Sequence, residues 1–155
     1  MKRRSLLGSL GVTVVASSAG CVKSALGPFD NSSRIGWIGV SNYDTEPHQF
    51  GVRVERDDSI VHESSHAIQE RKGNSLSGEA VNCTWGKTAG THRISAKIDE
   101  TDWVEQSVAE AIDGSVGCVT ARVTYGDSSD TLEIVIRENC DDVPEYNGGC
   151  EFANE

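Results

Sequence analysis

His62-Glu63-Ser64-Ser65-His66 is the stretch of this chain whose residue types and spacing could carry chemistry. It satisfies the H-E-x-x-H pattern, in which two histidines hold a zinc ion and the glutamate serves as general base. The requirement is geometric. On a helix, residues four apart are neighbours about 6 Å apart, so both imidazoles can reach one ion. On a strand the same two residues share a face but stand about 13 Å apart, too far for one zinc. Glu79 and His92 are the nearest downstream candidates for a third ligand, and neither sits in a recognisable setting. Gly73-Asn74-Ser75 begins like a nucleophile elbow, but Ser77 stands where the second glycine is needed. No phosphate-cradling glycine loop is present and no cofactor is implied. His48, after Pro47, reads as a turn residue.

The secondary structure around Ile60 to Ile68 therefore decides the chemistry. A helix has some support: Asp58 or Ser59 could cap it and Gly73 could close it. A strand has more. Phe50, Val52 and Val54 alternate with Gly51, Arg53 and Glu55, and Asp57-Asp58-Ser59 makes a short turn, so Ile60 to Ile68 should return as the second arm of a hairpin. The same period of two runs through Arg93 to Ile98, Val119 to Tyr125 and Leu132 to Arg137, with a shorter example at Val81, Cys83 and Trp85. Ile35 to Val40, apolar on both faces, reads as a central strand. Val108 to Ile112 could form a single helical turn. Turn signals at Gly73-Asn74, Lys87 to Gly90 and Gly126 to Asp130 separate these runs. The expected fold is all-β, an immunoglobulin-like antiparallel β-sandwich of about seven strands over residues 34–140.

Four cysteines, Cys83, Cys118, Cys140 and Cys150, allow two disulfides in three connectivities. If Gly126 to Asp130 turns the chain, Tyr125 faces Thr131 and Cys118 lies opposite Glu138, two residues from Cys140. A Cys118–Cys140 bridge is then within reach, and Cys83 pairs with Cys150 by elimination. No Cys-x-x-Cys occurs, so zinc is not expected at these residues.

Disulfides imply an oxidising compartment, and the N-terminus agrees. Lys2, Arg3 and Arg4 precede a weakly apolar run from Leu6 to Val15 that is broken by Gly8 and Gly11. A membrane span needs about 20 apolar residues, so residues 1–20 read as a cleaved signal peptide, with Arg3-Arg4 resembling a twin-arginine signal. Ala19-Gly20-Cys21 resembles a lipobox, with Ser18 in place of the usual aliphatic residue. Cys21 is the expected lipid site, and the two chains of a diacylglyceryl group suffice for stable anchoring at the outer face of the cell membrane. Residues 21–33 read as a tether reaching on the order of 45 Å when extended, and residues 141–155 as an acidic tail. The mature chain keeps 11 basic against 24 acidic side chains, a net charge of -13. Repulsion on that scale argues against nucleic acid or an anionic lipid surface as partner and suits a medium rich in screening salt. Asn31 and Asn82 head glycosylation sequons, with Asn31 the favoured site and Asn82 dependent on whether its strand is buried.

Asn42-Tyr43-Asp44-Thr45-Glu46-Pro47-His48, the hairpin into Ser64-Ser65-His66, and the cysteine pair around the last two strands together resemble small twin-arginine lipoproteins of extremely halophilic archaea. The resemblance runs from Ile35 to Cys140. It implies a cell-envelope address and a sandwich domain, and supplies no substrate. The expected function is a non-enzymatic, surface-anchored binding or envelope-interaction module with an unknown envelope partner. The alternative is a zinc metallopeptidase using His62 and His66 as ligands and Glu63 as base.

Overall fold

The computed structural model describes residues 32–112, 116–141 and 148–154. The expected leader, the lipid site Cys21 and the sequon Asn31 lie outside the described residues.

Among the described residues, eight strands form two four-stranded sheets, β4-β1-β7-β8 and β3-β2-β5-β6. The strands are β1 (Arg34–Asn42), β2 (His48–Arg56), β3 (Ser59–Ile68), β4 (Ser77–Ala80), β5 (His92–Ile98), β6 (Val104–Ser107), β7 (Cys118–Tyr125) and β8 (Leu132–Arg137). The all-β sandwich expected from the alternation is what the chain builds. Between the sheets lie Ile38, Val40, Phe50, Val52, Val54, Ile94, Ala96, Val119 and Val123, all at most 1% exposed. These are the inward residues of strands with period two, whose apolar area leaves water on sheet packing.

Several local expectations change. The count is eight strands because two short ones, β4 and β6, carry too little alternation to announce themselves. Val81 to Trp85 takes no strand conformation, although Val81 and Trp85 are buried; Trp85 instead donates its indole N–H to the Ile35 carbonyl at 2.7 Å. The sheets are not wholly antiparallel: β1 lies parallel to β7, with Arg34 beside Cys118 and Asn42 beside Tyr125. The last hairpin is one residue out from the predicted register, since Tyr125 pairs with Leu132 and not Thr131. Val108–Ala111 does form one helical turn, α1.

Both expected disulfides are present, Cys83 to Cys150 and Cys118 to Cys140. The end of the tail is docked onto the domain. The Cys150 N–H bonds to the Gly36 carbonyl at 2.8 Å, and Phe152, in a 3-10 turn over Glu151–Asn154, joins the core. Trp37 folds back over Gly39, where any β-carbon would collide with its ring. No helix among the described residues is long and apolar enough to cross a membrane.

Strand directions sort the loops into two groups. Residues 43–47, 69–76, 99–103 and 126–131 meet at one end; Asp57-Asp58, residues 81–91 and both disulfides lie at the other, where β1 begins.

Candidate functional site

The H-E-x-x-H stretch lies on β3, the second arm of the β2–β3 hairpin. Its turn, Asp57-Asp58, has positive φ at both residues (50° and 64°), as a two-residue type I′ hairpin requires. Alternation then separates the motif. His62, Ser64 and His66 pair with Val54, Val52 and Phe50 and share their inward face. Glu63 points the other way, where its carboxylate accepts from Arg53 Nε at 2.9 Å and the Arg53 guanidinium stacks 4.2 Å from the centre of the Trp103 ring. The proposed base and the proposed ligands are thus on opposite faces of one strand. Among the described residues no group of three or more His, Cys, Asp or Glu side chains is placed to hold a metal ion.

The inward face of β3 carries a different arrangement, at the long side of the sandwich where edge strands β3 and β4 meet. Thr84 Oγ1 and His62 Nδ1 are 2.5 Å apart, His62 Nε2 and Ser64 Oγ 2.8 Å, and Ser64 Oγ and His66 Nε2 2.7 Å. His66 Nδ1 bonds to Glu79 Oε1 on β4. His62 is 7% exposed and sits edge-on to the Trp85 ring at 5.3 Å. Burial, followed by the nearby His66 charge, lowers its pKa. Thr84 and Glu79, at the two ends of the chain, are exposed. Ser64, His66 and Glu79 follow the hydrogen-bond order of a hydrolytic triad. Ser64 differs from a free nucleophile in bonding a second imidazole, so its hydroxyl links two rings.

A second cluster joins the loops at the far end from the disulfides. His48, the first residue of β2, has Asp44 Oδ2 2.9 Å from Nε2 and Asp99 Oδ2 2.8 Å from Nδ1, with Tyr125 edge-on at 4.9 Å. Both ring nitrogens face carboxylates, so the cationic ring satisfies both. Burial alone pulls the His48 pKa down, but the two carboxylates outweigh it and raise it above 6.5. His48 bonding to Asp44, and the Gln49 backbone N–H bonding to Asp99, hold those carboxyls below their usual 3.8. Beneath the clamp, fully buried Asn42 donates to the carbonyls of Glu46 and Gln69 at 2.8 and 3.1 Å, and accepts from the Asp44 N–H at 3.0 Å.

Of the downstream candidates, Glu79 does meet His66, while His92 lies at the disulfide end beside a cavity of about 260 Å³ lined also by Glu55, Asp57 and Arg93. Asn82 is exposed, outside any strand, so its sequon is not hidden by a sheet. His48 was legible only as a turn residue, because its partner Asp99 is 51 residues away. No protein-family model matches the chain, and no curated protein matches it.

Proposed function

We propose that the chain is an exported binding module, held at the outer face of the cell membrane by lipid on Cys21, that engages an envelope partner through the four loops opposite its disulfides. The observation that carries this reading is the polarity of β1. The strand starts at the disulfide end with Arg34 and runs to Asn42 among those loops. A tether over residues 21–33 would then enter at the disulfide end and leave the four loops facing away from the bilayer.

The chemistry of that end narrows the partner. Its loops contain eight acidic side chains against Arg71 and Lys72, so a basic protein surface suits it and nucleic acid does not. Two disulfides accord with an oxidising compartment, and the twin-arginine-like leader accords with export of a folded domain. The resemblance to haloarchaeal lipoproteins adds the same address. The metallopeptidase alternative draws no support from β3, since Glu63 lies across the strand from both histidines.

Photo-crosslinking in intact cells tests the orientation. A crosslinker replacing Ser128, between β7 and β8, should capture a distinct protein that one replacing Lys87, at the disulfide end, does not. Capture of the same protein from both positions, or from Lys87 alone, would overturn the reading. A Cys21→Ser variant should leave the membrane fraction.

A further inference from the structure

The order Thr84, His62, Ser64, His66, Glu79 is an unbroken chain of hydrogen bonds, and its direction is dictated by its last member. A carboxylate only accepts, so His66 must carry hydrogen on Nδ1. When His66 is neutral its Nε2 is then bare and accepts from the Ser64 hydroxyl. The Ser64 oxygen in turn accepts from His62 Nε2–H, and the bare His62 Nδ1 accepts from the Thr84 hydroxyl. Every group has one role. A proton added to His66 turns its Nε2 into a donor, which the Ser64 oxygen accepts; the Ser64 hydroxyl hydrogen, displaced from His66, is then donated to His62 Nε2 once the His62 hydrogen has moved to Nδ1, facing Thr84.

We propose that this chain is a proton-driven tautomer switch, in which uptake of one proton at His66 reverses each bond back to Thr84 and changes which nitrogen of buried His62 bears hydrogen. The hydrogens balance. The neutral chain has four, on Thr84, His62, Ser64 and His66; the charged chain has five, the added one leaving both His66 nitrogens protonated and the Thr84 hydroxyl turned to solvent. Both ends reach water, so the proton can arrive at either.

Burial and the His66 charge both disfavour a second proton on His62. The elements packed around the chain are β1, β2, β4 and the Val81 to Trp85 segment. Opposite the three β3 side chains, β2 presents only apolar Phe50, Val52 and Val54. On β4 the charged group is Glu79, and beyond Trp85 it is Arg56, held on the Trp85 carbonyl at 2.9 Å. Glu79 belongs to one sheet and His66 to the other, so the charged state places an ion pair across the seam.

Histidine ring nitrogen shifts, followed by NMR across a pH titration of the folded protein, test the switch. The expected result is that His62 passes from the Nε2–H to the Nδ1–H tautomer with the same midpoint as His66 protonation. In Ser64→Ala, His66 should still titrate and His62 should no longer follow. A His62 tautomer that stays constant while His66 titrates in the unaltered protein overturns the proposal, as does tautomer change that persists in Ser64→Ala.

Discussion

At the disulfide end of the sandwich the chain is held by covalent bonds, and at the opposite end by a buried asparagine and a histidine between two carboxylates. The first end has the long crossing of residues 81–91, which passes from one sheet to the other. Cys83 to Cys150 and Cys118 to Cys140 restrain that end whatever the pH. At the other end the loops are short, and Asn42 and His48 reach several at once. Chain entropy governs one end; hydrogen-bond geometry and charge govern the other. The difference teaches that the ends should fail under different conditions.

The largest effect should come from the disulfide end. Cys83 and Cys150 are 67 residues apart, so replacing both by serine should cost about 4 kcal/mol, against about 3 kcal/mol for the Cys118–Cys140 pair 22 residues apart. Urea unfolding of the two double variants would read both; equal losses would show that loop length is not what sets the effect. Asn42→Ala comes next, at about 3 kcal/mol, since it leaves two carbonyls and one N–H without their buried partner. Amide exchange should quicken in residues 43–47 and 69–70 while the disulfide end keeps its protection. If protection fell equally at both ends, they would be one cooperative unit and the contrast would fail.

Gly36→Ala probes the disulfide end without removing a cysteine. Its β-carbon would meet Cys140 Sγ at 2.5 Å and Cys118 Sγ at 2.9 Å, an overpacking expected to cost about 2 kcal/mol by the same assay. The smallest effect is the pH response of His48. Its pKa is raised, so its stabilisation is complete below about pH 6.5 and is lost as pH climbs through the raised value. Asp44 and Asp99 are lowered, so theirs is present above about pH 3.8 and is lost as pH falls through the lowered values. The clamp should therefore hold best in weak acid, and His48→Gln should remove the loss of stability that follows as pH climbs through the raised His48 value, while leaving the disulfide end unchanged. An unaltered pH profile in that variant would show that the clamp contributes nothing measurable.

Much of this was legible in the residues. Period-two alternation revealed β2, β5, β7 and β8 and placed His62 and His66 on a strand, and hairpin logic brought Cys118 near Cys140 despite the one-residue error in register. Short strands were not legible: Ser77–Ala80 has no bulky apolar residue, and Val104–Ser107 has one, exposed. Nor was the parallel β1–β7 pair, which is fixed by sheet closure and not by local pattern. The polar chain on β3 was half visible. Alternation implies that His62, Ser64 and His66 share a face, and Glu79 stood out, with His92, as a downstream candidate for a third ligand. That they join one another depends on β4 lying beside β3 across the seam, which no spacing within the motif encodes.

The parallel pairing of β1 and β7 has a mechanical consequence. Eight residue pairs join the two strands from Arg34 to Asn42. A pull on Arg34 directed away from the four loops runs along β1, nearly at right angles to those hydrogen bonds. The bonds would then share the load in shear and yield together, whereas a hairpin pulled at its open end unzips one bond at a time. A domain tugged through its first strand is, in this geometry, loaded along its most resistant direction.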